Sequence, residues 1–97
     1  MQTVYHTELI PADGSPAARF GASIFDGQCR ASRMASRLGC DVAHRVYNDA
    51  LYRWEYLGTY HGDGTATSFT GERRLFTGDR QRPWASLVAE TQKGGAR

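Results

Sequence analysis

The chain predicts a small α+β domain: an antiparallel sheet of four to six strands with two short helices packed on one face, in the order β-β-α-β-β-β-β-α. Three observations carry this. Short runs of alternating apolar and polar residues recur between turn residues. One segment, Ala31, Met34, Ala35 and Leu38, repeats its apolar positions at helical spacing. Turn-forming clusters rich in Gly, Asp and Pro separate the runs.

The elements follow in order. Thr3 to Ile10 alternates as a strand, with Tyr5 and Leu9 on one face. The cluster from Pro11 to Pro16 is a loop. Ala17 to Phe25 alternates again, with Ala18, Phe20, Ala22 and Ile24 sharing a face, so the two strands form a hairpin with a wide loop. Asp26 then suits a helix N-cap, because its carboxylate accepts from the free amides of the first turn. Gly39 stands where a left-handed residue closes a helix. Two strands follow, Asp41–Tyr47 and Leu51–Tyr60. A three-residue turn, Asn48-Asp49-Ala50, puts Val42, His44 and Val46 on the same face as Tyr52, Trp54, Tyr56 and Tyr60. It pairs Val46 with Tyr52, His44 with Trp54, and Val42 with Tyr56. His61-Gly62-Asp63-Gly64 is a hairpin turn into strand Thr65–Thr70, with Phe69 set against Gly58. A Thr-Gly-acid-Arg unit occurs twice, at Thr70 and Thr77, with an edge strand Arg73–Thr77 between the two turns. Pro83 opens a last helix whose inner stripe is Trp84, Leu87, Val88 and Thr91. Residues 1–93 make one domain and 94–97 a frayed tail.

Bulk composition narrows the function. A net charge of +2 is small for a domain that relies on phosphate contacts. Cys29 and Cys40 match no zinc or redox spacing, so neither a metal nor another cofactor is expected. No apolar run is long enough to span a membrane, which makes the cytoplasm the expected compartment. Eleven of the twelve basic residues are arginine, and Lys93 is the lone lysine. GC-rich coding would produce that bias. So would a surface chosen for the flat, five-donor guanidinium, which grips anions bidentately and stacks on rings.

With the aromatic stripe of the fourth strand turned inward, the outer face carries the arginines. Arg45 then lies across from Arg53, a like-charge pair that needs Glu55 or a bound acidic partner to neutralise it. Arg30, Arg33 and Arg37 form one edge of the first helix. Arg73 and Arg74 make a second cluster beside the turns, with Arg80 and Arg82. These seven, Arg30, Arg33, Arg37, Arg45, Arg53, Arg73 and Arg74, are the candidate partner-binding residues. The bland alternative for each group is a solvated face. Had the rings been outward, they would suit stacking of unpaired bases. His44 is expected in the core with one nitrogen satisfied.

No nucleophile–base spacing, phosphate loop or metal motif is present, so no catalytic residue is assigned and an enzyme is not expected. The nearest catalytic arrangement is a metal-free ribonuclease with His61 as base, Tyr60 as positioner and Arg73 or Arg74 on the phosphate.

The segment Ser32-Arg33-Met34-Ala35-Ser36-Arg37, a strand before it and compact hairpins after it, resembles small phage-encoded anti-CRISPR proteins in layout over about residues 28–60. That resemblance implies a compact α/β inhibitor from a mobile element, docking on a protein or ribonucleoprotein effector. The expected function is therefore a non-enzymatic inhibitor or adaptor that binds such a partner through arginines. Direct nucleic-acid binding is the alternative.

Overall fold

The computed structural model describes residues 3–76. The second helix expected from Pro83, the cations Arg80 and Arg82, Thr77 and the tail lie outside these residues. Within them, six strands form a single antiparallel sheet with one helix across one face. The elements are β1 (Tyr5–Pro11), β2 (Ala18–Ala22), α1 (Ile24–Leu38), β3 (Val42–Asn48), β4 (Arg53–Tyr60), β5 (Thr65–Ser68) and β6 (Arg73–Leu75). The spatial order is β2-β1-β3-β4-β5-β6, so β1 pairs on both sides and only β2 and β6 are edges.

The helix N-cap lies three residues earlier than the sequence suggested. Ser23 is the N-cap, and its hydroxyl accepts from the Asp26 amide at 3.2 Å. Asp26 sits instead in the first turn, where its charge suits the positive end of the helix dipole. Gly39 closes the helix in the left-handed conformation (φ 67°), as expected. Ile24, Gly27, Gln28, Ala31 and Ala35 are the buried stripe. They pack on Leu9, Val42, Val46, Tyr60 and Ala66 from the strands. The small residues at 27, 31 and 35 let the helix sit close to the sheet.

His44 lies beneath Gly27, fully buried. Neither ring nitrogen has a partner, so the single satisfied nitrogen expected from sequence is absent. Gln28 hydrogen-bonds Tyr60 and leaves its own Oε1 unpartnered beside it.

The β3–β4 hairpin corrects the predicted register. Asn48 pairs with Arg53, Tyr47 with Trp54, Val46 with Glu55 and Arg45 with Tyr56. The loop is thus four residues, 49–52, and not three. Tyr52 closes it at φ 54°, a left-handed conformation unusual for an aromatic residue. Asn48 organises the turn, its Oδ1 accepting from the amides of Ala50 and Leu51.

A second irregularity follows. The register shifts between His44 and Arg45, where His44 pairs with Gly58 and Arg45 with Tyr56, so Leu57 is the extra residue of a β-bulge. Gly58 is needed there: a Cβ would lie 2.7 Å from the Thr67 carbonyl oxygen. Leu57 turns into a small apolar cluster with Ile24 and Val46, against which Phe69 packs. Phe69 therefore covers the bulge, while Ser68 stands opposite Gly58.

The consequence is an exchange of faces. Trp54 and Tyr56 precede the bulge and lie on the face away from the helix, whereas Tyr60 follows it and is buried, 1% exposed. Tyr52 is 83% exposed and Tyr56 47% exposed. The aromatic stripe expected to build the core is instead mostly outside it. No helix among the described residues is long and apolar enough to cross a membrane.

Candidate functional site: the open face of the sheet

The face opposite α1 has no second layer over it among the described residues. Strand alternation and register place its side chains in rows across the sheet. One row reads Gly21, His6, Tyr47, Trp54: Gly21 pairs with His6, Tyr47 pairs with Trp54, and His6 precedes Thr7, which pairs with Val46. The next row reads Arg19, Glu8, Arg45, Tyr56. A third holds Ala43, Thr59, Thr67 and Arg73.

The second row is an ion triplet. Arg19 donates from Nε to Glu8 Oε2 at 2.7 Å, and Arg45 donates from Nε to Oε1. The Glu8 side chain is 2% exposed because the two guanidinium side chains cover it; that of Arg19 remains 72% exposed. Burial alone would push the Glu8 carboxyl up. The hydrogen bonds from Arg19 and Arg45, with their charges, outweigh it and hold the group below its ordinary value of 4.5. Glu8 is thus a carboxylate, and the triplet carries one net positive charge.

Arg45 links this row to the first. Its guanidinium carbon lies 5.0 Å from the centre of the Trp54 ring. Tyr47 meets Trp54 edge-on with centroids 5.5 Å apart. The rings are therefore fixed in orientation while one side of the layer stays open. An open depression of about 470 Å³ lies over this end of the sheet, lined by His6, Arg19, Gly21, Tyr47 and Trp54.

At the other end, His61 is tied at both nitrogens. Nδ1 lies 2.8 Å from Asp41 Oδ1 and Nε2 lies 2.7 Å from Thr67 Oγ1. This line joins the approach to β3 with β5 across β4. The ribonuclease arrangement loses its positioner here, because Tyr60 is in the core. Cys29 is no activated thiol: burial pushes it up, against the Arg33 charge.

The seven candidate arginines lie on different parts of the molecule. Arg45 and Arg73 are on the open face. Arg53 pairs with Asn48, not with Arg45, and donates to Glu55 at 3.0 Å on the other side of the pleat. Arg30, Arg33 and Arg37 lie on α1, in the opposite layer. Arg30 is engaged twice, by Asp26 at 3.3 Å and over the Phe20 ring at 4.7 Å. Arg74 sits on the edge strand bonded to Glu72, and Arg73 reaches Asp63 at 3.2 Å.

The sequence reading passed over Arg19, Glu8, His6 and Tyr47. For Arg19 the signal was present. With Ala18, Phe20 and Ala22 inward, Arg19 must point out beside Glu8 of the paired strand. Among the described residues no group of three His, Cys, Asp or Glu side chains is arranged to hold a metal ion. No family model, curated protein or solved structure matches this chain.

Proposed function

We propose that this chain is a non-enzymatic binding protein whose open sheet face holds single-stranded nucleic acid. The observation that carries this reading is the row of three rings, His6, Tyr47 and Trp54, across three adjacent strands, backed by a row with two arginines. Unpaired bases present flat π-faces and phosphates at short intervals. A sheet with aligned rings and nearby guanidinium groups meets both. A duplex, with its bases stacked inside, offers this surface far less.

The test is binding of a labelled single-stranded octanucleotide, followed across salt concentration. Trp54→Ala is expected to weaken binding by about 1–3 kcal/mol, the cost of one lost base–aromatic stack. The one net positive charge of the triplet, set on one phosphate, gives a slope of about −0.7 for log affinity against log salt. Absence of binding, or equal binding by Trp54→Ala, removes the reading.

A protein or ribonucleoprotein partner is the second reading, and one observation favours it. Glu8 already neutralises one of the two arginines, and Trp, Tyr and Arg are the residues that dominate protein–protein hot spots. An inhibitor of the kind the helix layout resembles would use the same face. A partner that survives nuclease treatment in a pull-down and is lost with Trp54→Ala is the outcome that selects this reading.

A further inference from the structure

We infer that the hollow over Gly21 is a seat for one nucleotide of the bound strand, with its base against Tyr47 and Trp54 and its phosphate on Arg19. This rests on the nucleic-acid reading of the open face.

Gly21 is where the fold and the residue disagree. It lies within β2, an edge strand, and is exposed. Its φ is not positive, so the backbone does not require glycine. A Cβ there would meet only Val4 Cγ1, at 3.3 Å, and Val4 is itself exposed and able to shift. Glycine inside a strand weakens it by roughly 0.5–1 kcal/mol relative to alanine. Where neither backbone geometry nor packing asks for glycine, the remaining use is room for an approaching ligand. The missing side chain forms part of the depression of about 470 Å³ lined by His6, Arg19, Gly21, Tyr47 and Trp54.

The rim defines what fits. Arg19 bonds Glu8 through Nε, while its side chain remains largely in solvent. A guanidinium held at one edge can present its terminal amines to a phosphate, already oriented. Trp54, met edge-on by Tyr47, lines the same depression as that cation. An acidic peptide side chain would use Arg19 and leave the rings unused. An acyl chain would use the rings and leave Arg19. A nucleotide carries a flat ring and an anion one sugar apart, and uses both.

The experiment measures octanucleotide affinity and thermal melting for the wild type and Gly21→Val, with a nucleoside 5′-monophosphate as a second ligand. Gly21→Val is expected to melt no lower than wild type, because valine favours strand. It is expected to bind the octanucleotide about ten-fold more weakly, within the range for losing one stacked base. If valine lowers the melting temperature, Gly21→Ala decides by the same two readouts. Equal binding by the filled and unfilled proteins overturns the seat and leaves the stacking face standing. No octanucleotide binding by the wild type removes both. A monophosphate that binds as tightly as the octanucleotide also overturns it, since the hollow is then a free-nucleotide site.

Discussion

Substituting His44 isolates the main acid sensitivity of the fold. His44 is fully buried under Gly27, with neither ring nitrogen partnered. Desolvation lowers its pKa from 6.5 to about 4. The unfolded chain therefore takes up a proton that the folded chain refuses. Stability is complete above pH 6.5, falls as the pH drops below it, and the loss ends near pH 4, where folded His44 titrates. At about 1.4 kcal/mol per pH unit, this interval amounts to about 3 kcal/mol. That is a large share of the ~5–15 kcal/mol that holds a domain together. His44→Leu is similar in size and has nothing to protonate. At pH 7.5 it also removes two polar atoms buried without partners, so it is expected to be as stable as wild type or more so. The assay is urea unfolding at pH 7.5, 6.5, 5.5 and 4.5 for both proteins. With a slope of about 1 kcal/mol per molar urea, the wild-type midpoint should fall by about 2–3 M across that range. The midpoint of His44→Leu should move far less. The Glu8 contribution does not blur the comparison, because a lowered carboxylate pKa costs stability only below about 4.5. Parallel pH profiles for the two proteins would refute the reasoning and mean that His44 is hydrated or hydrogen-bonded in solution.

Three further outcomes are expected. Glu8→Gln should lower stability by about 1–3 kcal/mol, since one charge-assisted bond loses its acceptor and the other keeps only a neutral amide oxygen. It should also bind the octanucleotide more tightly and with a steeper salt slope, because the neutralising negative charge is gone; weaker binding would show that the triplet positions the arginines. Tyr52→Gly should raise stability by about 1 kcal/mol by relieving the left-handed backbone, and a lower urea midpoint would reveal contacts of the exposed ring. Gly58→Ala should cost about 1–3 kcal/mol in the same assay, because its Cβ would lie 2.7 Å from the Thr67 carbonyl oxygen; a neutral result would mean that the bulge relaxes freely.

Much of the fold was legible where local chemistry alone decides. Gly39 ended the helix, and the alternation of Ala18, Phe20 and Ala22 gave the face of β2. Val42, His44 and Val46 were core residues, as their spacing implied. The β3–β4 hairpin failed for a physical reason. Periodicity assumes that the pleat continues, and Tyr52, Trp54, Tyr56 and Tyr60 all have the same parity. The extra residue at Leu57 reverses the pleat between Tyr56 and Tyr60, so residues of one parity end on opposite faces. Gly58 was the sole local trace of that bulge, and on its own it reads as an ordinary strand glycine. Loop length compounded the error, because a four-residue loop closed by Tyr52 in a glycine-like conformation goes against its own turn chemistry.

The open face was hidden by the same two features. Its ion triplet joins residues 11 and 37 positions apart in the chain, which no charge pattern along the sequence reveals. Counting arginines pointed to the helix edge and to Arg53, where charge is dense but rings are not aligned. What distinguishes the open face is the register that lines Tyr47 up with Trp54 and sets Arg45 over the same ring. That register is set by the four-residue loop 49–52, and the bulge beyond it returns Tyr60 to the core. The bulge sends Leu57 and Tyr60 into the core to do the packing expected of Trp54 and Tyr56, and so leaves those two rings available on the outside. A domain that needed its largest rings merely for stability had a simpler solution in an unbroken strand. The bulged strand instead keeps Trp54 and Tyr56 on the outer face and Tyr60 in the core, the arrangement that the stacking reading proposed above relies on.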